Sequence, residues 1–234
     1  REFERGKINV SSAGTLLSFM EKPNFKMSFG FAQYCAEGNL CGDTIKTIND
    51  SRGHMVFIIS DGMGKGSRAA LDGAMGAGLL SKLLSAGFGF DSSLKVVNSA
   101  LLVKSHEESL ATLDCVRVDL FSGKCEFYKA GAPRSYIVKD DRLTKCELTS
   151  MPAGILRGVE FAKRTTVLNT DDEIIMMSDG VTDVGNEWLE KFLRLDTALD
   201  PNEKAKAILK IALENSDEKH RDDMSVIVAK MLER

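Results

Sequence analysis

Few residues here belong to the types that staple small folds or bind soft metals: five cysteines, three histidines, four prolines and one tryptophan among 234 residues. The cysteines (Cys35, Cys41, Cys115, Cys125, Cys146) are odd in number and lack any Cys-x-x-Cys pair. That excludes a disulfide framework and a cysteine zinc site, and it suits buried thiols in a reducing cytosol. His54, His106 and His220 form no His-x-x-x-His pair, which removes a histidine-rich zinc centre. Acidic and basic residues nearly balance, 34 against 31 for a net charge of -3. No basic stripe tracks a phosphate backbone, so nucleic acid is not an expected partner. No apolar run reaches the roughly 18 residues of a membrane span. The most apolar stretch, Ala69 to Phe90, is broken by Asp72, Lys82 and several glycines. The reading is a cytoplasmic segment of something longer, without membrane contact of its own; an anchor for the full-length protein would lie outside it.

What is present is a 43% hydrophobic content, enough for one globular domain to bury a core without staples. Residues 1–24 read as a linker or regulatory lead-in and residues 25–234 as the folded domain. Strand patterns run from Phe25 to Tyr34, Asp43 to Asn49, His54 to Ser60, Thr112 to Leu120, Lys124 to Ala130, Ser135 to Val138, Phe161 to Leu168, Glu173 to Met177 and Ser225 to Ala229. Helical spacing covers Gly66 to Ser85 and a second helix that Asp91 would cap. Asp200-Pro201-Asn202-Glu203 opens a third helix, ending near Asn215. Strands, a helix pair, strands, a helix and a strand succeed one another without βα alternation, which predicts an α+β sandwich of mainly antiparallel sheets. Gly73, Gly76 and Gly78 fall within six residues of one helix; each costs about 1 kcal/mol against alanine, so a close backbone approach is expected there.

Two apolar strands end alike, in Ser60-Asp61-Gly62 and Ser178-Asp179-Gly180. Each delivers a carboxylate at a strand's C-terminal edge, followed by a glycine that lets the chain turn. Positions 43 and 61 are symmetric about Arg52, the middle of a turn-rich Asp50-Ser51-Arg52-Gly53, so a hairpin sets Asp43 across from Asp61. Asp222 precedes the last strand and shares that edge if the strand runs antiparallel. Gathered carboxylates repel, and the usual remedy is a cation or a shared proton; if a cation, hard oxygen ligands select magnesium or manganese. One Ser-Asp-Gly alone would be ordinary turn chemistry; two copies behind buried strands favour a site.

Gly42-Asp43, Asp61-Gly62-Met63-Gly64, Ser178-Asp179-Gly180 and Arg221-Asp222-Asp223-Met224-Ser225, in this order, resemble the PPM (protein phosphatase 2C-like) family. The wording from Ser60 to Gly66 is similar to that of its bacterial SpoIIE branch. The resemblance covers roughly residues 25–231. It implies an α-β-β-α sandwich and a serine/threonine protein phosphatase using a water activated by two Mn2+ or Mg2+ ions, without a covalent enzyme intermediate. By position, it implies that Asp61 bridges the ions, Gly62 adds its carbonyl, Asp179 and Asp222 complete the first ion, and Asp43 acts behind them or through water. Asp61 and Asp179 are thus the expected catalytic pair. The implied substrate is a phosphoserine on a STAS-type anti-anti-sigma protein, whose dephosphorylation releases a sporulation sigma factor; a homodimer is an assembly open to such a domain. Met63 stands where many relatives place a histidine, so the general acid is unassigned, and Lys65 and Arg68 are the cations near enough to consider for phosphate. A haloacid-dehalogenase-type mechanism needs Asp-x-Asp, whereas Ile59 and Met177 precede Asp61 and Asp179 by two. The alternative from another class is a catalytically inactive module that binds a phosphoprotein.

Overall fold

Strands that are apolar at every position must be covered on both faces. In the computed structural model, which describes every residue except 1, 2, 13, 37, 39, 51, 65, 105–109, 141, 159, 186, 196–198 and 219, that requirement sets the layering. The elements are β1 (Phe3–Ser11), β2 (Gly14–Glu21), β3 (Phe25–Tyr34), β4 (Asp43–Asn49), β5 (His54–Asp61), α1 (Gly66–Ser85), α2 (Phe90–Lys104), β6 (Leu113–Asp119), β7 (Lys124–Ala130), β8 (Ser135–Lys139), β9 (Arg142–Cys146), β10 (Ala162–Val167), β11 (Glu173–Met177), α3 (Asp179–Thr182), α4 (Glu187–Leu195), α5 (Pro201–Asn215) and β12 (Met224–Glu233). Two five-stranded antiparallel sheets, ordered β10-β7-β6-β5-β4 and β3-β12-β11-β8-β9, form the sandwich, and β1 and β2 make a separate hairpin.

Alternation along β5 divides its side chains between two cores. Phe57 and Ile59 meet Val116, Phe127, Ile174, Met176 and Ile227 between the sheets. Val56 and Ile58 pack under α1 and α2 against Leu80, Leu94, Val97 and Leu101. On the second sheet, Ile175 and Met177 point outward against α4 and α5, through Leu189, Leu193, Ala205 and Ile208. Burying each such side chain contributes about 2 kcal/mol, and the result is the expected α-β-β-α order. Buried ion pairs stitch the layers together. The Lys129 ammonium lies 2.7 Å from Asp114 on the adjacent strand β6 and also donates to Ser135 Oγ on the second sheet, all within the interior. Lys204 of α5 meets Glu173 of β11 at 2.7 Å.

Asp200 caps α5 as its sequence predicts, accepting from the Asn202 and Glu203 N–H groups. Helix α2 begins at Phe90, two residues earlier than a cap at Asp91 would set it, so Asp91 occupies its first turn instead of the cap, where a carboxylate still suits the positive end of the helix. Five elements go beyond the sequence reading: β1, β2, β9, α3 and α4. The hairpin β1–β2 occupies most of the stretch read as a lead-in, with Phe3, Val10, Leu17 and Phe19 exposed. All five cysteines are free; Cys115, Cys125 and Cys146 are buried, and Cys35 and Cys41 half-buried.

Candidate metal centre

Antiparallel pairing of β4 with β5 sets Asp43 directly opposite Asp61, the register that the hairpin symmetry requires. Past Asp61 the strand ends, because Asp61 O accepts from Thr112 N–H at 2.7 Å and Gly62 turns to bridge Ala111. Helix α1 lies hard against this corner. A Cβ on Gly62 would sit 1.9 Å from Ala69 O, and one on Gly73 would sit 2.2 Å from Gly42 O. Gly76 faces Ser60 Oγ at 2.8 Å in the same sense, whereas Gly78 meets nothing within 4 Å. Two of the three helical glycines thus bring α1 onto the backbone that bears Asp43 and Asp61.

The second sheet supplies the other acids. Strand β11 ends at Met177, and Asp179 opens the short helix α3. Ser178 locks this corner to β12: its N–H donates to Ser225 O at 3.0 Å, and its Oγ accepts from Ser225 N–H at 2.9 Å. Antiparallel pairing of β11 with β12 brings Asp222, two residues before β12, to the same end. Asp222 is exposed, and its Oδ1 accepts from its neighbour's N–H.

Electrostatics show that these acids sense one another. Burial first, then Asp43, Asp179, Asp222 and Asp223, push Asp61 up to about 8. Asp43 is pushed to about 6, chiefly by burial, with Asp179 and Asp223 adding and the Ser178 and Ser225 hydroxyls opposing. Those hydroxyls do not reach hydrogen-bonding geometry: both Asp43 carboxylate oxygens are buried without a partner. Burial, Asp183 and Asp222 raise Asp179. A donor set made only of carboxylates and backbone carbonyls, with a buried carboxylate left unpaired, fits a hard divalent cation in kind. Among the described residues, no three His, Cys, Asp or Glu side chains converge tightly enough to enclose an ion. The strand pairings nonetheless bring the acids to one end of the sandwich, where Asp43, Asp179, Asp222 and Asp223 all bear on Asp61.

The sequence reading overlooked Asp223, hidden in a charge run. Its Oδ1 accepts from Ala36 N–H at 2.7 Å and its Oδ2 from Gly42 N–H at 2.5 Å. Met63 is 47% exposed and has no proton to give. Arg68 is exposed in the first turn of α1, and Lys65 lies outside the described residues.

With this architecture in view, comparison with known proteins defines the class. The chain superposes on a solved structure described as the PP2C phosphatase domain and a fragment of the regulatory domain of SpoIIE from Bacillus subtilis, with a TM-score of 0.86 and 26% identity, covering 100% of this chain and 70% of that one. The catalytic domain of the serine/threonine protein phosphatase PstP, solved with two manganese ions, shares the fold at a TM-score of 0.71 and 18% identity, over 89% of this chain and 100% of that one. The fold is that of the PP2C-type serine/threonine phosphatases. The sequence profile of stage II sporulation protein E (SpoIIE) matches residues 51–232, and the chain belongs to that family. Stage II sporulation protein E of B. subtilis strain 168 is 28% identical over 222 residues, and that of Priestia megaterium 31% over 200, covering 92% and 83% of this chain. The chain spans 27% and 34% of the length of these two relatives.

Proposed function

We propose that this chain is a metal-dependent protein phosphatase acting on phosphoserine or phosphothreonine, with Asp61, the Gly62 carbonyl, Asp179 and Asp222 holding two Mn2+ or Mg2+ ions and Asp43 supporting them from behind. One observation carries this reading: Asp61 and Asp179 come from different sheets through the same Ser-Asp-Gly corner to one end of the sandwich, where the Asp179 charge adds to burial in pushing Asp61 up. Two such ions, when bound, supply charge neutralisation for a phosphoryl group and a water of lowered pKa. The protein's part is to hold the carboxylates. Asp61 projects from a strand end pinned by Thr112, and Asp179 from a corner pinned by Ser225. Asp43, desolvated behind Asp61, favours positive charge in front of it. The manganese seen in PstP supports the choice of ion by kinship of fold.

Family membership supports the finer reading, a phosphoserine on a STAS-type anti-anti-sigma protein whose dephosphorylation releases a sporulation sigma factor. The same kinship supports a cytoplasmic placement, with any membrane anchor elsewhere in the full-length protein. No helix among the described residues is long and apolar enough to cross a membrane. Turnover of an aryl phosphate and of a phosphoserine STAS protein in manganese, against Asp61→Ala, tests the reading. Loss of both activities in the variant supports it, whereas equal rates assign the chain to phosphoprotein binding without hydrolysis.

A further inference from the structure

The segments that bear the acids meet around one residue that is not among the proposed ligands, Asp223, through its side chain and its backbone carbonyl. Asp223 accepts the Ala36 N–H with one carboxylate oxygen and the Gly42 N–H with the other. Gly42 is the residue before Asp43, and its own carbonyl accepts the Gly62 N–H at 3.2 Å, next to Asp61. On the opposite side, the Asp223 carbonyl lies where a Cβ on Gly180 would approach to 2.1 Å, so the corner after Asp179 is closed against it. Asp223 is also the immediate neighbour of Asp222. A carboxylate with both oxygens committed to backbone N–H groups is a poor metal ligand and a strong tether. Its two bonds span 187 and 181 positions of sequence, which no local turn could replace.

We infer that Asp223 is a positioning residue: by holding the backbone at Ala36 and Gly42 with its two oxygens, it keeps Asp43 and Asp61 in register with Asp179 and Asp222 for the divalent ions. This rests on the metal-dependent reading above. The supporting shell of a metal site typically contributes about 10–100-fold to affinity. Asparagine keeps one acceptor oxygen and turns an N–H2 toward the other backbone donor, so it retains one anchor; alanine retains none. Asp223→Asn and Asp223→Ala remove the same charge and differ in how much of the anchoring they keep, with asparagine also preserving the side-chain shape.

The test is calorimetric titration of manganese into wild type and both variants, with hydrogen–deuterium exchange at the Gly42 amide measured in chelator. The expected result is a graded loss, about tenfold for Asp223→Asn and about a hundredfold for Asp223→Ala, with Gly42 exchange accelerating in the same order. Equal weakening in the two variants would mean that only charge matters and would overturn the inference, as would unchanged affinity. If Asp223→Ala does not fold, Asp223→Asn decides: unchanged affinity and unchanged Gly42 protection reject the tether. Failure of wild type itself to bind manganese strikes the metal-dependent reading instead, while Gly42 exchange still reports whether the tether exists.

Discussion

Asp43 and Asp61 are direct cross-strand partners on β4 and β5, so two carboxylates occupy a pairing that ordinarily destabilises a ladder. Asp43 is the more deeply buried, 4% exposed, and neither of its oxygens is paired. A fold tolerates such an arrangement when something other than stability selects it.

The cost should be measurable as a pH dependence. Raised carboxyl pKa values mean that the folded chain keeps protons which the unfolded chain, titrating near 4, has released. This contribution to stability is full below that range and is lost as pH rises toward about 6 for Asp43 and about 8 for Asp61. In chelator, Asp61→Asn removes one such group. Its melting temperature is expected to match wild type near pH 4 and to exceed it by several degrees near pH 8. Thermal melts across that range check the slope, and added manganese should raise wild type but not the variant.

Helix α1 provides a paired test of close approach. Gly73→Ala drives a Cβ into Gly42 O, so a loss of about 1–3 kcal/mol is expected, together with weaker manganese binding. Gly78→Ala meets open space, and its better helix propensity should leave stability equal or raised by up to about 1 kcal/mol. Urea denaturation of the two variants separates packing from propensity.

Much of this arrangement was legible in the sequence because it rests on periodicity and symmetry. The Asp43–Asp61 register follows from a hairpin centred on Arg52, and unbroken apolar runs such as Val56 to Ile59 mark strands covered on both faces. What escaped lacked such a signal or had a weak one. Strand β9, Arg-Leu-Thr-Lys-Cys, is a mostly polar edge strand. Helix α3 is four residues folded into the turn that the Ser-Asp-Gly motif already explained. Helix α4 did carry a usable pattern, since Trp188, Leu189, Phe192 and Leu193 share one face. The hairpin β1–β2 has its described apolar side chains exposed, so no core-facing stripe announced it. Asp222 and Asp223 look equivalent on paper; only the fold shows that one is tied to Ala36 and Gly42 while the other stays exposed.

The Lys129–Asp114 pair should behave as a buried charge pair. Lys129→Met strands a desolvated carboxylate and is expected to cost about 3–5 kcal/mol, whereas Lys129→Met with Asp114→Leu should recover most of that loss. Equilibrium unfolding of the single and double variants supplies the comparison.

The central claim is that acids from both sheets share divalent ions at one end of the sandwich. A crystal of the protein grown with manganese, with an anomalous difference map collected at the manganese edge, tests it most directly. The account predicts two neighbouring peaks, with Asp61 touching both and Asp179 and Asp222 contacting one of them. Manganese bound elsewhere, or Asp61 and Asp179 contacting no common ion, would contradict it.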